Sequence, residues 1–131
     1  MADGNGDLWW TGDTAVALER SVIGSILIVG NAVLPAVERV MQPTDLMRET
    51  HRCIYEAILA VAEAKADPDL ILVTHELAKQ GRLERAGGAA FVAALVDAIP
   101  SVDSAVEYAK RVHECAVMRR VKGVVANGHR A

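Results

Sequence analysis

The sequence predicts an all-α fold: a compact helical bundle followed by a protruding long helix, the first arm of a helical hairpin. Three observations lead there. Of 131 residues, 52% are hydrophobic, yet only five are aromatic, and Ala, Val, Leu and Ile supply most of the apolar content. Strands favour β-branched and aromatic side chains, whereas alanine-rich surfaces suit closely packed helices. Apolar residues recur every three or four positions along most of the chain. Gly, Pro, Asn and Asp cluster between these periodic segments, where helices must stop. The length is that of one domain with one contiguous core.

Residues 1–13 are rich in Gly and Asp and are expected to form a disordered leader, with Trp9-Trp10 as an unexplained apolar pair. Asp13 or Thr14 caps a first helix running to about Val29, whose stripe of Leu18, Val22, Ile26 and Val29 is widened by Val16, Ile23 and Leu27. Gly24-Ser25 in its middle costs about 1 kcal/mol against alanine. A glycine there makes sense where a second helix approaches closely. Gly30-Asn31 ends this helix and starts the next, Ala32 to about Val40, with Pro35 near its first turn. Gln42-Pro43-Thr44-Asp45 is a turn.

A third, strongly amphipathic helix covers about Glu49 to Ala66, with Ile54, Ile58 and Val61 on one side and Arg52, Glu56 and Glu63 on the other. Asp67-Pro68-Asp69 breaks it. A fourth runs from Leu70 to about Gln80 and stops at Gly81; a short fifth covers Ala89–Ala98 and presents Phe91, Val92 and Leu95. Residues 14–99 thus make the globular part, and Pro100 separates it from 100–131. There a helix of about 22 residues starts near Ser104 and would span about 33 Å, longer than a core of this size needs. Its seam of Ala105, Ala109, Val112 and Ala116, continued by Val117, Val121 and Val124, wants a partner.

Net charge is −3 and unevenly spread: residues 1–13 hold three Asp and no base, while 110–131 hold six Lys or Arg against Glu114 alone. An acidic whole argues against a principal phosphate-gripping surface, and the basic stretch reads as a solvated helix face or a local nucleic-acid contact. No uninterrupted apolar run approaches the roughly 18 residues of a membrane span, and no signal-peptide pattern opens the chain. A cytoplasmic location follows as the expectation.

The residues offer no catalytic set. The phosphate-binding signature Gly-x-x-x-x-Gly-Lys-Ser/Thr is absent, so no nucleotide site is expected. No Gly-x-Ser-x-Gly elbow surrounds any serine. The acidic residues Glu19, Glu56, Glu63, Glu76 and Glu84 fall at surface-type helix positions. His51-Arg52-Cys53 and His113-Glu114-Cys115 invite a metal, but residues two apart on a helix point about 200° away from each other, so neither pair chelates one ion. Cys53 and Cys115, 62 residues apart, read as small buried hydrophobes. No metal site is expected.

Several stretches, in order, resemble one family. Glu19-Arg20-Ser21-Val22-Ile23-Gly24-Ser25-Ile26-Leu27 is similar to the opening Glu-Gln-Ser-Val-Leu-Gly-Ser-Leu-Leu of the N-terminal domain of DnaB-type replicative helicases. His51-Arg52-Cys53-Ile54-Tyr55-Glu56-Ala57-Ile58 resembles that family's His-Arg-x-Ile-Phe-Glu-Ala-Ile. Asp69–Val73, Glu76-Leu77, Gly81–Gly88 with Phe91, Ile99-Pro100-Ser101 and Glu107–Val112 follow at family spacing. Together they cover about residues 15–122. Where the family carries a Pro-Pro turn before the first helix, this chain has Trp9-Trp10-Thr11-Gly12, and within these 131 residues the second arm of the hairpin is expected to be missing or reduced to 124–131.

The resemblance implies a bundle with a protruding helical hairpin. In the family, hairpins pair between subunits into a collar on a hexameric ring, and the collar docks primase. The implied function is therefore a non-catalytic module of a replicative DNA helicase, for subunit assembly and primase docking. Partner-binding candidates are Phe91, Tyr108, Arg119, Arg120 and Val121; helix-packing candidates are Gly24, Ser25, Ala105, Ala109 and Ala116. Core packing explains Phe91 and Tyr108 equally well, as a solvated face explains the arginines. Implied partners are further copies of the chain (a dimer, or a hexamer in the full-length parent) and primase, with DNA reached only indirectly and no membrane. ATP and magnesium belong to a separate ATPase domain, leaving no cofactor for this segment. The helicase-binding C-terminal domain of a bacterial primase is the alternative, and a small helical enzyme using His51, His75 or His113 is a third reading.

Overall fold

A computed structural model describes residues 8–97, 99 and 101–130, the last seven of these as backbone. Among the described residues there are six α-helices and no strand: α1 (Asp13–Val29), α2 (Leu34–Glu38), α3 (Glu49–Glu63), α4 (Leu70–Lys79), α5 (Ala89–Ala94) and α6 (Ala105–Arg130), with single 3-10 turns at Gly30–Ala32, Pro43–Asp45 and Val102–Ser104.

The local chemistry sets most of the boundaries. Gly30 has φ +59° and closes α1; a Cβ there would run into the Asp67 carboxylate, which accepts the backbone N–H of Asn31 at 2.7 Å. Pro35 sits in the first turn of α2, where its missing N–H costs nothing. The third helix ends earlier than its apolar pattern, because Lys65 takes φ +69°. Asp69 caps α4 by accepting the N–H of Leu72 at 2.8 Å, and Gly81 follows with φ +70°. Helix α5 ends at Ala94, short of the expected span; Ala98 lies outside the described residues.

One core joins every helix. Ile23 and Ile26 of α1, Leu34 of α2, Ile54 and Ile58 of α3 and Leu77 of α4 are closed off from solvent in it. Tyr55 is buried too, its hydroxyl donating to the Met41 carbonyl at 3.0 Å, and burial pushes its pKa well up. Taken with the 3-10 turn after it, α1 (13–32) is long and apolar enough on average to cross a membrane, which the run-length reading missed. More than half of that stretch is buried inside the bundle, as befits a core helix.

Helix α6 packs chiefly on α1, and Ala109 and Val112 belong to the same core as α1–α5. Ala105, Ala109, Val112, Cys115 and Ala116 are buried, so the helix does not project from its start. Small side chains let the two helix backbones lie close. Beyond Ala116 its apolar positions turn outward: Val117 and Val121 are exposed. The expected leader divides likewise. Residues 1–7 lie outside the described residues, whereas Leu8–Gly12 form a turn in which Leu8 accepts from the N–H groups of Thr11 and Gly12.

Candidate functional site

The loop between α2 and α3 is where the chain ties its distant parts together. Its geometry begins with Asp45, at the end of the 3-10 turn and only 1% exposed. The Gln42 N–H donates to Asp45 Oδ2 at 2.9 Å, a local bond of the kind that favours Asp in turns. The remaining acceptor capacity goes to α6. His113 Nδ1 lies 3.0 Å from Oδ2, and Arg120 Nη2 donates to Oδ1 at 2.8 Å. His113 and Arg120 are seven residues apart, two helical turns on one face. Burial by itself would raise the Asp45 pKa, but the Gln42 amide, His113 and Arg120 outweigh it and hold the carboxyl below its ordinary value.

Arg119 adds a second tie. Its Nη2 donates to the Asp45 carbonyl at 2.7 Å and its Nη1 to the Trp10 carbonyl at 2.9 Å, so one planar guanidinium staples two loops onto α6. The Leu8–Gly12 turn gains further contacts there. The Cys115 thiol, its pKa pushed up by burial, donates to the Trp9 carbonyl at 3.5 Å. Lys122 Nζ lies 5.9 Å from the centre of the Trp10 ring, and the two indoles meet edge to face.

On its other side the loop is held by a buried carboxylate. Glu19 of α1, 1% exposed, accepts the Met47 N–H at 2.6 Å and the Arg48 N–H at 3.4 Å, and its Oε1 lies 2.8 Å from His51 Nδ1. This corrects the surface placement expected for Glu19. Arg52 then donates to the Leu46 carbonyl at 2.8 Å. The signal for Glu19 was present: it stands four residues from Ala15 and from Ile23, within the apolar stripe rather than opposite it.

The residues singled out from sequence fall into separate settings. Arg119, Arg120 and Val121 share the outer part of α6. Val121 is half exposed, beside Val117; Trp9, Val117 and Met118 line one groove of about 370 Å³ together with His113 and Glu114. Tyr108 is partly buried against the core. Phe91 sits on α5, its ring stacked 6.4 Å from that of His51. Ala105, Ala109 and Ala116 are all buried on α6, the helix that packs chiefly on α1. Gly24 is a close-approach site, but its neighbours are the Leu95 carbonyl and Ile99, both just after the end of α5, rather than a crossing helix. Ser25 is fully buried, and its Oγ has no partner among the described residues.

A second apolar groove, of about 410 Å³, runs between α4 and α5 past Leu70, Ile71 and His75. Ile71 is 76% exposed. The three histidines considered for catalysis do not converge: His51 meets Glu19, His113 meets Asp45 and His75 lines this groove. Among the described residues no three His, Cys, Asp or Glu side chains gather as metal ligands. What the Asp45 and Arg119 ties do is hold α6 against the loop between α2 and α3.

Comparison with known proteins is consistent across sequence and structure. Residues 13–114 match the family described as DnaB-like helicase N terminal domain. Over 107 residues, 82% of this chain, the sequence is 36% identical to the replicative DNA helicase DnaB of Geobacillus stearothermophilus, of which this covers 23%. The crystal structure of the N-terminal domain of DnaB helicase from Mycobacterium tuberculosis superposes with a TM-score of 0.81 at 31% identity, covering 86% of this chain and 80% of that one. A DnaB-like replicative helicase, described with its interactions with primase, shares the fold at TM-score 0.69 and 17% identity, over 84% of this chain and 25% of that one. The chain spans about a quarter of the length of the curated relatives it matches.

Proposed function

Because the chain belongs to the DnaB-like helicase N-terminal domain family, we propose that it is a non-catalytic module of a replicative DNA helicase that mediates subunit assembly and docks primase. The observation that carries this reading is the change of character along α6. Up to Ala116 its apolar side is buried, chiefly against α1; from Val117 onward Val117 and Val121 face solvent, as does Trp9. Exposed aliphatic side chains on a regular helix, next to a half-exposed indole, make a surface that gains by being covered.

In this reading Val121 contacts the partner directly and Arg119 and Arg120 steady the helix that carries it. Tyr108 and Phe91, each only partly buried, supply outlying contacts. Interactions with primase described for a helicase of the same fold support the choice of partner. Further copies of the chain are the other partner, DNA is reached only through the assembled helicase, and the setting is the bacterial cytoplasm. Unwinding and ATP hydrolysis, with ATP and magnesium, belong to the rest of the parent helicase, and no cofactor is assigned to this segment. The family match sets aside the primase-domain alternative.

The test is a calorimetric titration of the domain against the C-terminal region of primase, with sizing of the free domain. Saturable binding is the expected result. A folded domain that is monomeric and binds no primase fragment would defeat the proposal.

A further inference from the structure

Apolar packing places the first half of α6, up to Ala116, and does not extend to the half beyond it. Past Ala116 the helix has lost its buried seam, and besides the contact of Lys122 with the Trp10 ring its outer half is anchored by polar ties: His113 and Arg120 to the Asp45 carboxylate, Arg119 to the carbonyls of Asp45 and Trp10, and Arg120 to the Thr44 carbonyl at 3.4 Å. Apolar contacts are non-directional and tolerate sliding, whereas charge-assisted hydrogen bonds fix angle and register. Asp45 is itself firmly held. It is buried, its own turn is locked by the Gln42 amide, and the residues after it are held by Glu19 and Arg52.

The geometry points to Asp45 as a positioning residue: its buried carboxylate, gripped by His113 and Arg120 two turns apart, sets the direction of the outer half of α6 and so the placement of the surface that half presents. This rests on the reading of α6 as the docking element for its consequence, though not for the positioning itself. Arg119 is the companion tie, adding the Leu8–Gly12 turn as a second brace. Asp45 needs no contact with any partner. Its substitution is therefore expected to weaken docking without altering the docking surface.

The positioning is tested by spin-label distance measurement between Ile71→Cys on α4 and Asn127→Cys near the end of α6, with Cys53 and Cys115 left in place because both are buried. Asp45→Asn and the double variant His113→Ala/Arg120→Ala are expected to broaden the distance distribution at least twofold at unchanged helical content. The conservative double variant His113→Gln/Arg120→Lys, which keeps donors at both positions, is expected to restore the native width. Should Asp45→Asn fail to fold, the two α6 double variants carry the test, since His113 and Arg120 are about half exposed. An unchanged distribution in the alanine double variant, or equal broadening in the conservative one, would overturn the proposal. Titration of the same proteins with the primase C-terminal region separates the two readings. Absence of binding by the unsubstituted domain, alongside a broadened distribution in the variants, removes the docking function and leaves the positioning role standing.

Discussion

Glu19 and His51, on α1 and α3, face each other across the core with 2.8 Å between Oε1 and Nδ1, and both side chains are shut away from solvent. Glu19 also receives the Met47 and Arg48 amides, so one carboxylate fastens α1, α3 and the loop before α3. Removing one member of a buried, hydrogen-bonded pair costs about 3–5 kcal/mol, because the other is left without a partner. Glu19→Ala is expected to fall in that range by urea denaturation. Glu19→Gln keeps an acceptor for the Met47 amide and should lose about 1–2 kcal/mol. Equal and small losses in both would mean that the loop is held by other contacts.

Asp45 gives the domain an acid-sensitive contribution whose sign is fixed. Its folded pKa lies below the ordinary 3.8, so the folded state binds the carboxyl proton less readily than the unfolded chain does. The stability this supplies is complete above about pH 4, falls as pH drops through the folded pKa, and is gone below it. Asp45→Asn is expected to lower stability near neutral pH and to flatten the acid limb, so the two proteins converge as the pH falls through the folded pKa. Denaturant titrations at a series of pH values read this directly. Parallel curves for the two proteins would show that the carboxyl is not stabilised by its neighbours.

Much of the fold was legible because helical periodicity is a local signal. Ile54, Ile58 and Val61 announce α3, and Gly81 and Gly30 mark two helix ends where positive φ is indeed found. The alanine seam of α6 was also visible, although its first half turned out to be covered by α1 rather than by another molecule. The loop hub was not legible. Asp45 reads as an ordinary turn residue, and its partners on α6 lie 68 and 75 residues away. Trp9-Trp10 had no local reason to be ordered; Arg119, 109 residues from Trp10, supplies it. Periodicity reports which face of a helix is buried. It does not report which distant polar group waits there.

Val117 and Val121 lie four residues apart on the exposed side of α6, where replacement disturbs little packing. Val121→Asp is expected to leave folding stability within about 0.5 kcal/mol of the original. It should weaken association of the domain, with itself or with the primase fragment, at least tenfold by calorimetry and sizing. Unaltered association in a Val117→Asp/Val121→Asp double variant would place the binding surface elsewhere, the α4–α5 groove around Ile71 being the next to substitute.

Gly24 and Gly123 make opposite predictions for the same substitution. Both are helical, and in an open helix interior glycine to alanine gains about 1 kcal/mol. A Cβ on Gly123 meets nothing within 4 Å, so Gly123→Ala should realise that gain as a higher melting temperature. A Cβ on Gly24 would overlap the Leu95 carbonyl and the end of Ile99, and backbone cannot step aside as a flexible side chain can. Overpacking of this kind costs about 1–3 kcal/mol and exceeds the propensity gain. Gly24→Ala is therefore expected to lower the melting temperature, and it should do so by displacing α5 from α1. Hydrogen exchange would then speed up in α5 before the rest of the bundle. A rise in melting temperature for Gly24→Ala would show that α1 and the end of α5 lie further apart than their packing here requires.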